Sequence, residues 1–569
     1  MDSPFLKLLS QRVVVEDGAA GTSIYARNLP LSDFHGHENC PEALLISRGD
    51  VVEEIHASFL RVGCDAVETN TFGANKVVFA EFGLVERTYE LNRTAARLAR
   101  RAADGFSTSD RPRFVLGSMG PGTKLPSLGH TTFAVLEDSY AEQARGLLDG
   151  GVDALSIETC QDILQAKTAI CGATRAMAEK RRAVPLIVQV TIETTGAMLV
   201  GTDIAAARVA IEAYPQVQVI GLNCATGPAE MSEHVRYLCG ASRRYVSVVP
   251  NAGLPQLVDG RPHYTLTPAE LARWLREFVD VDGVNLVGGC CGTTPEHLAA
   301  VVDAVWGRTP KPRTPSAVPM VSSVYQAAEL RQDNSFLIVG ERCNTNGSRK
   351  FKRLLLEQNL DEIVHTALEQ QQEGSHVLDV CVDYVGRDGV PDMQAVVRRL
   401  ATEVKLPLMI DSTQLDVLEA ALQLAGGKSI INSMNLEDGP EKLARVCALA
   451  RTYGAAAVAL TIDEDPVEAM GKTAERKLAI ARRIFDLAVH THGLSPGDIL
   501  FDFLTFPVTT GDRPTAGSAP KPSAASRWSP APCPSAAPCW ASQTSASDFS
   551  RRGGRCSTAS SCTTPGWPG

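Results

Sequence analysis

The sequence predicts an α/β protein of two (β/α)8 barrels in tandem, the second incomplete, followed by a disordered tail. Three observations predict it. A unit of amphipathic stretch, glycine and short apolar run ending in an acidic residue recurs along the chain. A proline-rich interruption divides that recurrence into two series, and aliphatic residues stop abruptly after residue 512.

Residues 50–62 lead through Gly63 to the run ending at Glu68, and residues 138–149 lead through Gly150 and Gly151 to the run ending at Glu158. In the second series, residues 360–373 lead through Gly374 to Asp379. Glycine just past a helix is the expected cap, because it enters the left-handed region without a Cβ clash. Short, nearly continuous apolar strands beside helices imply a parallel sheet buried on both faces. Repetition of such units favours a (β/α)8 barrel whose strand C-termini form the functional rim; an open doubly wound sheet is the competing arrangement. Helix starts keep the register. Thr267-Pro268-Ala269-Glu270 supplies an N-cap, a first-turn proline and a capping-box glutamate, and Thr294-Pro295-Glu296 opens a helix reaching about Trp306.

Four prolines between 308 and 319 mark a stiff, exposed linker running on to residue 334. The first domain is therefore expected over 1–307, and the second, opening with Phe336-Leu337-Ile338-Val339, over 335–512. Residues 513–569 contain no Leu, Ile, Val or Met, and Asp548 is their only acid. Such a segment cannot bury enough apolar surface to offset its ordering entropy, so disorder is expected. The abruptness of the change favours out-of-frame translation of a GC-rich gene over a natural low-complexity tail. Cys533, Cys539, Cys556 and Cys562 fall there and receive no role.

A formal net charge of −10 argues against a nucleic-acid or anionic-membrane partner, either of which would want a basic face. The N-terminus lacks a signal-peptide h-region, and no apolar run approaches the roughly 20 residues of a membrane helix, so the cytoplasm is the expected compartment. Fifteen cysteines, an odd number, do not read as a secreted disulfide framework. Cys171 and Cys447, within helical stretches, read as buried small apolar residues.

Three other cysteines carry chemistry. Val219-Ile220-Gly221-Leu222-Asn223-Cys224 and Val284-Asn285-Leu286-Val287-Gly288-Gly289-Cys290-Cys291-Gly292 both end an apolar strand in cysteine. On one barrel rim the three sulfurs would converge, and the flanking glycines let the backbone turn to aim them. Zinc prefers thiolates in tetrahedral geometry, and a catalytic zinc keeps its fourth position open. An incoming alkyl thiol, mostly protonated at neutral pH, would be deprotonated there. The bland alternative is core packing for Cys224 and a vicinal pair without metal for Cys290 and Cys291.

GLNCATGP (221–228), PNAGLP (250–255) and GGCCGTTPEH (288–297) resemble the homocysteine S-methyltransferase family, as do EDGAAGT (16–22), VETNTFGAN (67–75) and GSMGP (117–121). The resemblance covers residues 10–305. It implies a (β/α)8 barrel, zinc held by Cys224, Cys290 and Cys291, and a homocysteine amino group held by Asp17 and Glu158. Capping of nearby helices or loops is the bland reading of those two acids. Thr22 and Asn223 neighbour the pocket without an assigned role.

The second series puts carboxylates and carboxamides at successive strand ends: Glu341 and Asn344, Asp411, Asn432 and Asp502. Such a set suits a pterin, whose edge alternates donors and acceptors. Residues 335–510 resemble the pterin-binding methyltetrahydrofolate methyltransferases. That likeness lines the folate pocket with Glu341, Asn344, Asp411, Asn432 and Asp502, gives Asp502 the catalytic carboxyl role, and makes Asp379 and Asp383 supports. Cys381 stands where many relatives carry asparagine, and the pattern stops after Asp512, before the barrel's last strand and helix.

The two domains in this order resemble the N-terminal portion of cobalamin-dependent methionine synthases. The implied reaction passes methyl from 5-methyltetrahydrofolate through methylcobalamin to zinc-bound homocysteine, with the cobalamin module outside this chain or supplied in trans. Two alternatives stay open: a cobalamin-free homocysteine methyltransferase using a small methyl donor, and a non-catalytic truncation product.

Overall fold

A computed structural model describes residues 3–504, except 259–260, 317, 334 and 467–468, together with the backbone of Ala537–Pro538. Eight parallel strands build the first domain: β1 Val14–Val15, β2 Ala66–Glu68, β3 Phe114–Met119, β4 Ala154–Cys160, β5 Leu186–Val190, β6 Val217–Asn223, β7 Tyr245–Val249 and β8 Leu286–Val287. Their spatial order is sequential, and β1 pairs with β8. A parallel bridge between Glu16 and Ala66, beside the Asp65 N–H to Val15 C=O bond of 2.7 Å, links β1 to β2 and brings the ring to near closure. That order belongs to a barrel and excludes the open doubly wound alternative for this domain.

The barrel interior is divided by height. At the strand N-termini, Val14, Ala66, Phe114, Ala154, Ile187, Val219 and Leu286 pack together, and the helix Pro4–Gln11 plugs this end with Phe5 and Leu9. Toward the C-termini the inward positions turn polar. Glu16, Glu68, Ser156, Gln189 and Ser247 replace the aliphatic layer. Helices such as Gly49–Val62 and Phe133–Gly150 cover the outside and end in left-handed Gly63 and Gly151, as the sequence expects.

The second domain is a parallel sheet, also in sequential order: β9 Val339–Asn344, β10 Val377–Cys381, β11 Leu408–Asp411, β12 Ile430–Met434, β13 Ala456–Leu460 and β14 Ile499–Asp502. Its ends are not joined among the described residues. Beside β14, Ala537–Pro538 pairs in parallel, Leu500 opposite Ala537. The rest of 505–569 lies outside the described residues. A two-stranded hairpin, Met320–Ser322 with Ala327–Glu329, contributes Val321 to a cluster with Val377, Met409, Ile430 and Leu500, closing this domain's lower end.

The proline-rich linker is mostly exposed and is also held along its length. Arg313 donates to the Ser242 and Arg244 carbonyls and to Asn285 Oδ1, at 3.1, 2.6 and 3.2 Å, and the Lys311 amide donates to Val279 C=O. These acceptors are mostly backbone, so the segment is laid against the first barrel by groups that composition does not reveal. No helix among the described residues is long and apolar enough to cross a membrane.

One buried cation ties the domains together. Lys167, on the helix Ile163–Lys180, is 1% exposed, and its Nζ donates to Ala425 C=O at 2.8 Å and Gly427 C=O at 2.7 Å. Both carbonyls follow the helix Leu415–Leu422, where cations are favoured. Phe133 meets Tyr453 with ring centroids 5.5 Å apart on the same interface. A Cβ at Gly426 would lie 3.1 Å from Ile163 Cγ2, so the loop is packed closely on that helix. Lys167→Ala should leave two buried carbonyls unpaired and destabilise the domain contact by about 1–3 kcal/mol. Urea unfolding should then show an earlier onset, and an unchanged midpoint would count against the contact.

Candidate functional site

The first rim gathers the three cysteines. Cys224 follows β6, and Cys290 and Cys291 follow β8; their Sγ atoms all lie within 4.8 Å of one another, with Cys224 to Cys291 at 3.8 Å. Bonds of about 2.3 Å at tetrahedral angles around one zinc would separate sulfurs by roughly 3.8 Å. All three residues are half-buried free thiols. Hydrogen bonds from Cys224 and Cys290 hold Cys291 far down, at about 3, whereas the same crowding pushes Cys290 up. Donation to Cys291 also pushes Cys224 up to about 12, so the charge rests on one sulfur of the three, and the set suits a soft cation.

Backbone geometry aims these sulfurs. Cys224 and Ala225 have φ of 59° and 57°, a left-handed pair that turns the chain directly after β6. Gly292 has φ +80°, and a Cβ there would lie 2.2 Å from the Tyr264 ring. Thr22 Oγ1 accepts the Gly292 N–H at 3.1 Å, which anchors the cysteine turn to the short helix Ala20–Tyr25 after β1.

Below the sulfurs lie four carboxyls. Asp17 accepts the Glu68 N–H at 3.2 Å through both oxygens. Glu158 accepts from Ser118 Oγ and, at 3.2 Å, from Asn223 Nδ2. Asn223 is fixed in turn by Thr159, whose N–H it accepts at 2.7 Å. Burial raises Glu158 to about 6; burial and the neighbouring Glu158 raise Glu16 to about 8. Asp17 and Glu68 are pushed well above the carboxylate range, first by burial. Carboxyls crowded in a low-dielectric place hold protons until a cation arrives, so an ammonium group is the complementary guest. Glu16 Oε2 and Glu68 Oε1 have no hydrogen-bond partner.

Sequence reasoning singled out Asp17 and Glu158 but gave Glu16, Glu68 and Tyr264 no role. Glu68 ended one of the recurring runs, so its signal was present. Glu16 sits beside a two-residue strand too short to show alternation. Tyr264 follows the small hairpin Gln256–Val258 and Arg261–His263, and nothing local points it at the cysteine turn.

The second rim is equally polar. Asn344 Nδ2 donates to Asp379 Oδ2 at 2.7 Å and to Asp411 Oδ2 at 2.8 Å, joining β9, β10 and β11. Asn432 Nδ2 reaches Asp379 Oδ1 at 3.5 Å. Burial, then Asp411, raises Asp379 to about 7. Glu341 is raised by burial and by Asp411 and Asp502; Asp502 is raised by burial while Lys477 draws it back. Asp383 stands to the side, accepting from Ser412 Oγ at 2.9 and 3.0 Å. Cys381 Sγ accepts from Asn346 Nδ2 at 3.8 Å, behind the pocket.

A family model described as homocysteine S-methyltransferase matches residues 14–305, and one described as pterin binding enzyme matches 340–516. The chain is 49% identical over 513 residues to a methionine synthase of Mycobacterium tuberculosis, covering 90% of this chain and 43% of that protein. It is 47% identical over 518 residues to a methionine synthase of Mycobacterium leprae, again covering 90% and 43%. The chain thus spans less than half the length of these curated relatives. Among solved structures, the oxidized homocysteine methyltransferase MmuM of Escherichia coli is similar with a TM-score of 0.44 and 23% identity, over 53% of this chain and 99% of that one.

Because folding lifts Asp379 to about 7, the folded chain keeps a proton that the unfolded chain has released. Its stabilising contribution is full below the unfolded value of about 4 and is lost as pH rises through about 7. Urea midpoints should fall across that window, and Asp379→Asn should flatten the slope and stabilise the chain at pH 8. An equal slope in both proteins would show that Asp379 ionises freely.

Proposed function

The chain belongs to the homocysteine S-methyltransferase family, and on that premise we propose that it carries the two substrate sites for methylating homocysteine to methionine. In this reading the methyl comes from 5-methyltetrahydrofolate by way of cobalamin. The observation that carries it is the convergence of three sulfurs on one rim, in the same chain as a carboxamide–carboxylate rim suited to a pterin.

Cys224, Cys290 and Cys291 are the zinc ligands in this reading. Zinc, when bound there, supplies the Lewis acidity that keeps a substrate thiol ionised near neutral pH. Asp17 and Glu158 hold the homocysteine ammonium, and Asn223 and Ser118 fix the Glu158 carboxylate toward it. Glu16 and Glu68 retain protons until that cation enters. The division of the barrel interior by height keeps water from these groups, which strengthens each interaction.

At the second rim, Glu341, Asn344, Asp411, Asn432 and Asp502 face the pterin, with Asp379 and Asp383 behind them. The difficulty there is the leaving group, because a pterin amine departs poorly as an anion. Protonation near N5 removes that difficulty, and Asp502 is the carboxyl assigned to it. Asp379, which keeps a proton close to neutral pH, supports Asn344 and backs that relay. A small sulfonium or ammonium donor would leave this rim without a role, so the folate reading is preferred.

The functional units are 1–307 for homocysteine and zinc, 308–334 as the linker, 335–512 for the pterin, and 513–569 as a tail without a site. Cobalamin arrives on a module outside these units or in trans. The cytoplasm is the compartment that suits reduced thiols and folate.

Zinc should bind at about one equivalent. Cys224→Ala and Cys290→Ala should each remove it after dialysis against a chelator, and one equivalent persisting in the triple cysteine variant would sink the assignment. Homocysteine binding to the zinc-loaded chain should release about one proton. Calorimetry in buffers of different ionisation enthalpy reads that release directly, and none would mean that the substrate sulfur stays a thiol.

A further inference from the structure

Asp502 is the carboxyl at the second rim whose assigned role changes its charge. Giving a proton to N5 leaves it a carboxylate in a largely buried place. Such a charge is costly to form unless a cation already stands near it. The structure holds one.

Lys477 lies on the helix Ala474–Phe485, between β13 and β14. That helix buries Lys477, Ile480, Ala481 and Ile484, the spacing of a single inward stripe. A lysine there puts charge where the pattern calls for an aliphatic side chain. Arg476 and Arg483 of the same helix turn instead to Asp463 and Glu464, at 2.8 and 2.6 Å. Lys477 is only 5% exposed, and the carboxyl it faces is Asp502.

The two groups grip one residue from opposite ends. Lys477 Nζ donates to Leu504 C=O at 3.4 Å, and the Leu504 N–H donates to Asp502 Oδ1 at 2.8 Å. Leu504 has φ of 49°, a left-handed conformation that leucine adopts only where its surroundings impose it. The loop after β13 is tied to the same place. Thr461 N–H donates to Asp502 C=O at 3.3 Å, and Gly471 N–H donates to Thr461 C=O at 3.0 Å. A Cβ at Gly471 would lie 3.1 Å from Lys477 Cγ, so the lysine stem is packed on that backbone. Burial works against both charges, and each offsets part of that effect on the other.

We propose that Lys477 is a positioning residue for the folate half of the reaction, its ammonium fixing Asp502 through Leu504 and stabilising the carboxylate that remains once Asp502 has given up its proton. This rests on the pterin reading of the second rim. In that step the methyl–N5 bond breaks and its electron pair stays on N5, which takes the Asp502 proton. The methyl group bonds to the electron pair that reduced cobalamin supplies. Charge develops on Asp502 only as the proton leaves, so Lys477 favours the transition state over the bound folate. A neighbouring opposite charge changes a carboxyl's ionisation by roughly ten- to a thousandfold, and a proton in transit feels a fraction of that.

The experiment compares the full chain with Lys477→Met and Lys477→Arg. Calorimetry measures 5-methyltetrahydrofolate affinity, and single-turnover kinetics measure methyl transfer to free, reduced cobalamin. Lys477→Met keeps a long apolar stem without the charge. It should bind the folate within about threefold of the parent and transfer methyl roughly ten- to thirtyfold more slowly. Lys477→Arg should recover much of that rate. Parent-like transfer in Lys477→Met would overturn the proposal, and so would a parallel loss of affinity and rate, the mark of a packing role. Folate binding without any transfer in the parent would remove the catalytic role of Asp502, and that of Lys477 with it, while the pterin reading stood. Failure of the parent to bind the folate would overturn the pterin reading itself.

Discussion

The pairing of β1 with β8 is the contact on which the first site depends. It brings the beginning of the domain against its end, so that Gly289 N–H donates to Asp17 C=O at 3.2 Å and the cysteine turn lies directly above the acidic residues of the first strand. Two groups separated by some 270 residues of chain thereby become neighbours. Close approach of backbones enforces it. A Cβ on Gly288 would lie 2.3 Å from Glu16 Cγ, so the last strand can pass only as glycine.

Once the ring closes, alternate side chains must point inward, and the interior becomes a place with little water. Apolar residues fill its lower half without penalty. The upper half holds carboxyls that have few ways to be satisfied: hydrogen bonds from Ser118, Asn223 and the Glu68 amide, and protons kept beyond the usual carboxylate range. The second rim solves the same problem differently. There a single carboxamide, Asn344, spans two carboxyls, and protonation of Asp379 relieves the repulsion that remains.

Much of this was legible in the sequence, and the reasons are local. Glycine caps and acid-ended apolar runs marked the αβ units because both obey short-range rules. The cysteine trio was legible because two separate strands ended in cysteine, and the strand ends of a barrel share one rim. Glu16 escaped because β1 is too short to reveal which side faces inward, and Tyr264 because its position is set by contact with Gly292 rather than by its own segment. The docking of residues 308–319 was hidden for another reason. Arg313 binds carbonyls, which every residue possesses, so no pattern in side-chain identity could announce it.

Lys167 gives the arrangement of the two mouths a particular character. One ammonium gripped by two carbonyls, with Phe133 packed on Tyr453, makes the halves behave as a single casting rather than as beads on a string. Those ties lie outside the segment that joins the halves, so they hold the mouths apart independently of it. The two mouths are then two stations at a fixed separation. In the proposed reading, the carrier of the methyl group covers that distance by its own movement.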